Sequence, residues 1–133
     1  MHKRDLRNYY YVCPTCLSVP ENCSCSLLPE TLIQIDKRML PIIRELNKKW
    51  YVTTACCEGH IGQYEQIYIM FKNKHKFKLP LPKGFEGNGS YLKSPITGTT
   101  EEAKKRKKRQ LLNSLYLWAC ELESLGPNIF IKQ

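Results

Sequence analysis

Two periods of apolar residues run through this chain. Ile67, Ile69 and Phe71 alternate with Tyr68 and Met70, the two-residue repeat of a strand, and predict one over Gln63 to Phe71. Leu111, Leu115, Trp118, Leu122 and Leu125 instead recur every three or four residues. They predict a long helix that starts at an N-cap on Thr99 or Thr100, carries Glu101 and Glu102 in its first turn, and stops at Gly126-Pro127. A shorter helix follows from Met39, Ile43, Leu46 and Trp50, with Asp36 as its N-cap and Pro41 forcing a late start or a bend. Runs of β-branched and aromatic residues add strands at Thr31 to Ile35, Trp50 to Ala55 and Asn128 to Lys132. Pro80 to Gly98 is dense in proline and glycine and reads as a long loop. The order strand, helix, strand, strand, helix, strand is that of a ferredoxin-like α+β fold, βαββαβ.

Residues 1–28 do not share either period. Tyr9-Tyr10-Tyr11-Val12 forms a short extended run whose rings either cover a minor core or stack on bases, and the apolar positions after it are sparse. What this stretch has is Cys13, Cys16, Cys23 and Cys25, spaced C-x2-C and C-x-C. Short turns at this spacing aim four soft sulfur ligands at one tetrahedral centre, and four thiolates with no open position define a structural zinc site. A disulfide ladder and unrelated buried thiols are the alternatives. The division expected is therefore a zinc knuckle over residues 1–28 and an α+β core over residues 29–133, with the metal replacing the core that the first part lacks.

A second group of reactive residues is Cys56, Cys57 and His60, in the run Thr53-Thr54-Ala55-Cys56-Cys57-Glu58-Gly59-His60 that reads as the turn after a strand. Three readings stay open: a second metal site completed by His75 or Cys120, a Cys57/His60 nucleophilic pair, or a tight glycine turn with small thiols packed on the core. Cys120 reads as a packed core residue of the long helix.

Charge changes the picture more than overall composition does. The 133 residues carry a formal net charge of +9, with 21 Lys and Arg against 12 Asp and Glu. Residues 72–109 account for all of that excess. Lys72, Lys74, Lys76 and Lys78 continue the alternation of the preceding strand and are expected to project together. Lys104, Lys105, Arg106, Lys107, Lys108 and Arg109 form an uninterrupted run that leaves no apolar face, so this half of the helix is expected to extend past the core. Such a surface seeks an acidic partner, nucleic acid or protein. No apolar run is long enough for a membrane span and no apolar segment follows the charged start, so the expected setting is intracellular, with reduced cysteines. The carboxylates show no acid and base pairing, which argues against an enzyme.

Two resemblances bear on function. The residues Ile43-Arg44-Glu45-Leu46-Asn47 and Tyr51-Val52-Thr53-Thr54-Ala55-Cys56-Cys57-Glu58-Gly59-His60-Ile61 resemble a strand-turn motif of the tRNA wybutosine-synthesising methyltransferase family, which would imply S-adenosylmethionine and tRNA as ligands. The same Cys-Glu-Gly-His stretch is similar to that of small phage-encoded proteins, and a compact, basic, zinc-stapled chain is similar in kind to anti-CRISPR inhibitors. The second resemblance is the closer one. It implies a phage protein acting in the cytoplasm of a bacterial host, without catalytic residues. It would bind a type II CRISPR effector nuclease through the basic residues and interfere with its handling of DNA. A phage protein that binds DNA or RNA is the alternative.

Overall fold

The computed structural model describes residues 9–25 and 32–126. These form a mixed fold of two helices and two antiparallel sheets. Strands β1 (Tyr9–Val12) and β2 (Ile33–Asp36) make a two-stranded ladder, helix α1 (Leu40–Lys48) follows, and four strands make the main sheet: β3 (Thr53–Cys57), β4 (Gln66–Phe71), β5 (Glu86–Gly87) and β6 (Tyr91–Pro95). Their order is β3-β4-β6-β5, and helix α2 (Glu101–Glu121) closes the described chain. Among the described residues the crossed order of a ferredoxin-like sheet does not appear, and the strand expected at Asn128 to Lys132 lies outside them.

The first helix starts later than Asp36. Asp36 ends β2 and is buried; the chain makes a turn, with Met39 N–H donating to Asp36 O at 3.0 Å, before α1 begins at Leu40. Met39 is the N-cap and makes no side-chain cap, and Pro41 falls in the first turn, where its missing N–H would have had no helical partner. Met39, Ile43 and Leu46 are buried as their spacing requires, but Trp50 is not part of the helix. It takes φ +75° just past the C-terminus and is exposed. Asn47 then ties the helix to β3, its amide donating to Thr53 Oγ1 and its carbonyl accepting from Thr53 N–H.

The Pro80 to Gly98 segment, expected as a loop, holds β5 and β6. Asn88 and Gly89 turn the chain, Gly89 at φ +93° and Ser90 N–H on Asn88 Oδ1, so β6 folds back on β5, and its other edge pairs with β4 from Gln66↔Pro95 to Met70↔Tyr91. The lysine-bearing segment after β4 is not a strand. Lys72, Lys74, Lys76 and Lys78 are exposed as expected, while His75 and Phe77 turn inward to an aromatic group with Tyr51, Phe71 and Trp118. Trp118 Nε1 donates to Pro80 O and pins this segment to α2.

Thr100 caps α2, accepting from Ala103 N–H at 3.0 Å. The other end is held by Lys49, whose Nζ donates to Ala119 O and Cys120 O, placing a cation at the negative end of the helix. Cys120 itself is exposed rather than packed, one turn beyond the exposed Tyr116. The basic run does not extend past the core. Lys104 and Lys108 are one turn apart and, with Leu111, Leu115 and Trp118, continue the inward stripe; Lys108 is buried, whereas Lys105, Arg106 and Arg109 are exposed.

One buried cluster joins Val12, Leu17 and Ile35 to α1, α2, β4 and β6. The β1/β2 ladder crosses the boundary expected near residue 28, and Arg44 Nε donates to Leu17 O at 2.9 Å. Leu115, on α2, is fully buried at the centre of this cluster. Leu115→Ala is expected to cost about 2 to 5 kcal/mol in denaturant unfolding, whereas Leu117→Ala on the exposed side should stay within about 0.5 kcal/mol of the parent.

Candidate metal centres and the buried polar network

The four N-terminal cysteines converge. Their Sγ atoms all lie within 4.8 Å of one another, a spread that admits the tetrahedral edge of about 3.8 Å set by Zn–S bonds of about 2.3 Å. The backbone is shaped to them: Thr15 N–H donates to Cys13 Sγ and Cys25 N–H to Cys23 Sγ, each at 3.3 Å, and Leu17 takes φ +59° to close the first turn. Cys13 is fully buried, and hydrogen bonding by the Cys16 backbone, then by Thr15, brings its pKa down to about 6. Cys25 is pushed up to about 12 by hydrogen bonds to Cys13, then Cys23 and Cys16. Protons are thus unevenly shared among four sulfurs that a divalent metal would deprotonate together. This donor set suits a soft or borderline ion.

The second group assembles differently from the expected Cys56, Cys57 and His60. Neighbouring residues of a strand point to opposite faces, so Cys56, opposite Ile69, faces the core while Cys57, opposite Tyr68, faces away from it. Burial pushes the Cys56 thiol up to about 12. His75 belongs to the aromatic group, where burial lowers its pKa, and Cys120 lies on the exposed side of α2. What joins Cys57 and His60 is Asp36, and the ligand atoms of these three lie within 4.8 Å of one another.

Around them is a polar network that reaches three elements. Asp36 Oδ2 accepts from Glu58 N–H at 2.8 Å and lies 3.4 Å from His60 Nε2. Burial raises the Asp36 carboxyl above its ordinary range and also raises the Cys57 thiol, opposite to the lowered pKa that a nucleophilic cysteine needs. Glu58 meets Lys108 Nζ at 2.7 Å through Oε2 and accepts from Arg38 N–H at 3.2 Å through Oε1. Lys108 Nζ also donates to Gly59 O at 2.7 Å. Gly59 is held at φ +82°, a left-handed conformation that favours glycine, and it faces Ile96 Cδ1 and Gln66 O. A cleft of about 370 Å³ opens beside the network, with His60 and Tyr9 in its lining and Arg38, Lys105 and Arg109 adding positive charge.

The sequence marks Asp36 as a helix cap and Lys108 as part of a basic surface, and no spacing brings either of them to Glu58. For Lys108 a signal is nonetheless present: it stands three residues before Leu111 and seven before Leu115, on the stripe that defines the inward face. Asp36 is brought in only by the β1/β2 ladder. Of the basic residues, Lys72, Lys74, Lys76, Lys78, Lys105, Arg106 and Arg109 are exposed, while Lys104 is spoken for by Glu65 at 3.0 Å.

Comparison with known proteins finds no matching family model, no similar curated protein and no similar solved structure. No helix among the described residues is long and apolar enough to cross a membrane.

Two outcomes are expected. Cys16→Ser should lose about one equivalent of metal per chain by elemental analysis and lower the thermal midpoint, and chelator should do the same to the parent. Lys108→Met should destabilise by about 3 to 5 kcal/mol because Glu58 keeps a buried charge without its partner, and adding Glu58→Gln should restore part of that loss in chemical denaturation.

Proposed function

We propose that this chain is a zinc-stapled binding protein rather than an enzyme, and that it holds single-stranded nucleic acid on the open face of its four-stranded sheet. The observation that carries the reading is the make-up of that face. Cross-strand partners share a face, so Tyr68 and Lys93, and Met70 and Tyr91, stand side by side opposite the helices. Tyr64 packs edge-on to Tyr68 at 6.0 Å, and Lys93 Nζ lies 5.5 Å from the Tyr91 ring centre. Among the described residues, Tyr64 and Met70 are exposed on this face, and Tyr68, Tyr91 and Lys93 are half-buried. Such a platform offers rings on which successive bases stack, with cations beside them for the phosphates. Lys74 lies against the Gly89 turn that leads into Tyr91, and Lys72 follows β4 directly, so positive charge flanks one end of the platform.

A second reading has its own support. Pro41, Ile42, Leu112 and Tyr116 line an apolar groove between α1 and α2, and Arg38 and Arg109 stand at it. An acidic protein face would fit there, and the anti-CRISPR resemblance names a type II effector nuclease as that partner.

Fluorescence anisotropy with labelled single-stranded and duplex oligonucleotides, run beside capture of a purified effector nuclease, separates the two. The first reading expects Tyr68→Ala and Tyr91→Ala each to weaken single-strand binding by about 5- to 150-fold, since one stacked base contributes about 1 to 3 kcal/mol, with affinity falling as salt rises. Nuclease capture that Arg38→Ser or Arg109→Ser abolishes, without oligonucleotide binding, would replace it by the second.

A further inference from the structure

We infer that Asp36, Cys57 and His60 form a second metal site, a three-ligand site for a borderline divalent ion such as zinc, separate from the four-cysteine centre. The three donors come from the end of β2, the end of β3 and the turn after it, and their ligand atoms lie within 4.8 Å of one another. An oxygen, a sulfur and an imidazole nitrogen are all ordinary zinc ligands. Zn–N and Zn–O bonds of about 2.0 Å set their ligand atoms about 3.3 Å apart on a tetrahedron. His60 Nε2 and Asp36 Oδ2 are 3.4 Å apart. A direct charge-assisted hydrogen bond is shorter, about 2.7 to 2.9 Å.

The surroundings act as supports for such a site. Gly59 N–H donates to Cys57 Sγ at 3.3 Å, two residues on, the same contact at the same length that Thr15 makes to Cys13 and Cys25 to Cys23 in the other centre. Glu58 N–H orients the Asp36 carboxylate. Outer contacts of this kind fix ligands before the ion arrives. Charge also closes. A divalent ion is neutralised by the Asp36 carboxylate and the Cys57 thiolate, while Glu58 and Lys108 neutralise one another 2.7 Å apart. His60 is half-exposed and lines the cleft, so the site is open to solvent on that side. Three protein ligands leave a fourth position for water or an anionic ligand.

Elemental analysis of full-length protein, loaded with excess zinc and then desalted, tests this directly. Two zinc ions per chain are expected in the parent. His60→Asn and Cys57→Ser should each reduce this to one while leaving the far-ultraviolet circular dichroism spectrum unchanged, and Cys16→Ser should lose the other ion. Titration of metal-free protein with cobalt(II) gives a second reading, because the two centres differ in thiolate count. Two breaks in the visible absorption are expected for the parent and one, with tetrathiolate character, for His60→Asn. A parent that holds a single ion, lost on Cys16→Ser and kept on His60→Asn, with one break in the cobalt titration, would overturn the second site and leave the first standing.

Discussion

A buried ion pair between Glu58 and Lys108 holds the molecule in register. It joins the turn after β3 to the middle of α2, and the same lysine bonds the carbonyl of Gly59, so helix and turn are fixed at one point. Two opposite charges taken out of water are costly to separate, which makes this contact intolerant of partial loss. Glu58 passes the constraint on. Its amide fixes Asp36, its other oxygen takes the amide of Arg38, and the β1/β2 ladder is thereby seated against the main sheet. The cleft and the cluster of Asp36, Cys57 and His60 exist because these elements are fixed together.

The arrangement divides the molecule's chemistry by face. Helices and the inward residues of β4 and β6 share the core, and the other face of the sheet keeps its rings outward. Positive charge, which the sequence concentrates between residues 72 and 109, is partitioned by the helix: Lys104 and Lys108 are consumed by Glu65 and Glu58, and Lys105, Arg106 and Arg109 remain at the surface. A run of like charges on a helix is therefore not one surface, because successive residues are about 100° apart around the axis.

Local periodicity carries part of this architecture in the chain itself. The α2 stripe from Leu111 to Trp118, a cap at Thr99 or Thr100, the inward face of β4 and the convergence of four cysteines follow from spacing, since each is decided within a few residues. The end of the helix does not, because it stops at Glu121, where Leu122 turns extended, and Leu122 and Leu125 lie past it rather than on its last turn before Gly126-Pro127. What spacing does not yield depends on distant partners. β6 hides in a segment whose prolines and glycines suggest a loop, although Asn88-Gly89 is a hairpin signal and Leu92 and Ser94 keep a strand's alternation. Asp36 has the residue type of a helix cap, but a buried ladder claims it. Lys108 occupies a core position with a charged side chain, and only the arrival of Glu58 from another element makes that tenable. Cys56 and Cys57 look like one pair in a turn, whereas strand geometry sends them to opposite faces.

Cys13 lies at the boundary between metal chemistry and ordinary packing. It is fully buried beside Val12, and Leu17, closing the same turn, belongs to the common core and receives Arg44 from α1. An ion held by the four cysteines would therefore be coupled to consolidation of the fold. Its binding constant would include folding free energy, and the population of folded chains would then follow the free metal concentration around them. Metal supply would in that case set how many molecules carry the packed core that Leu17 joins.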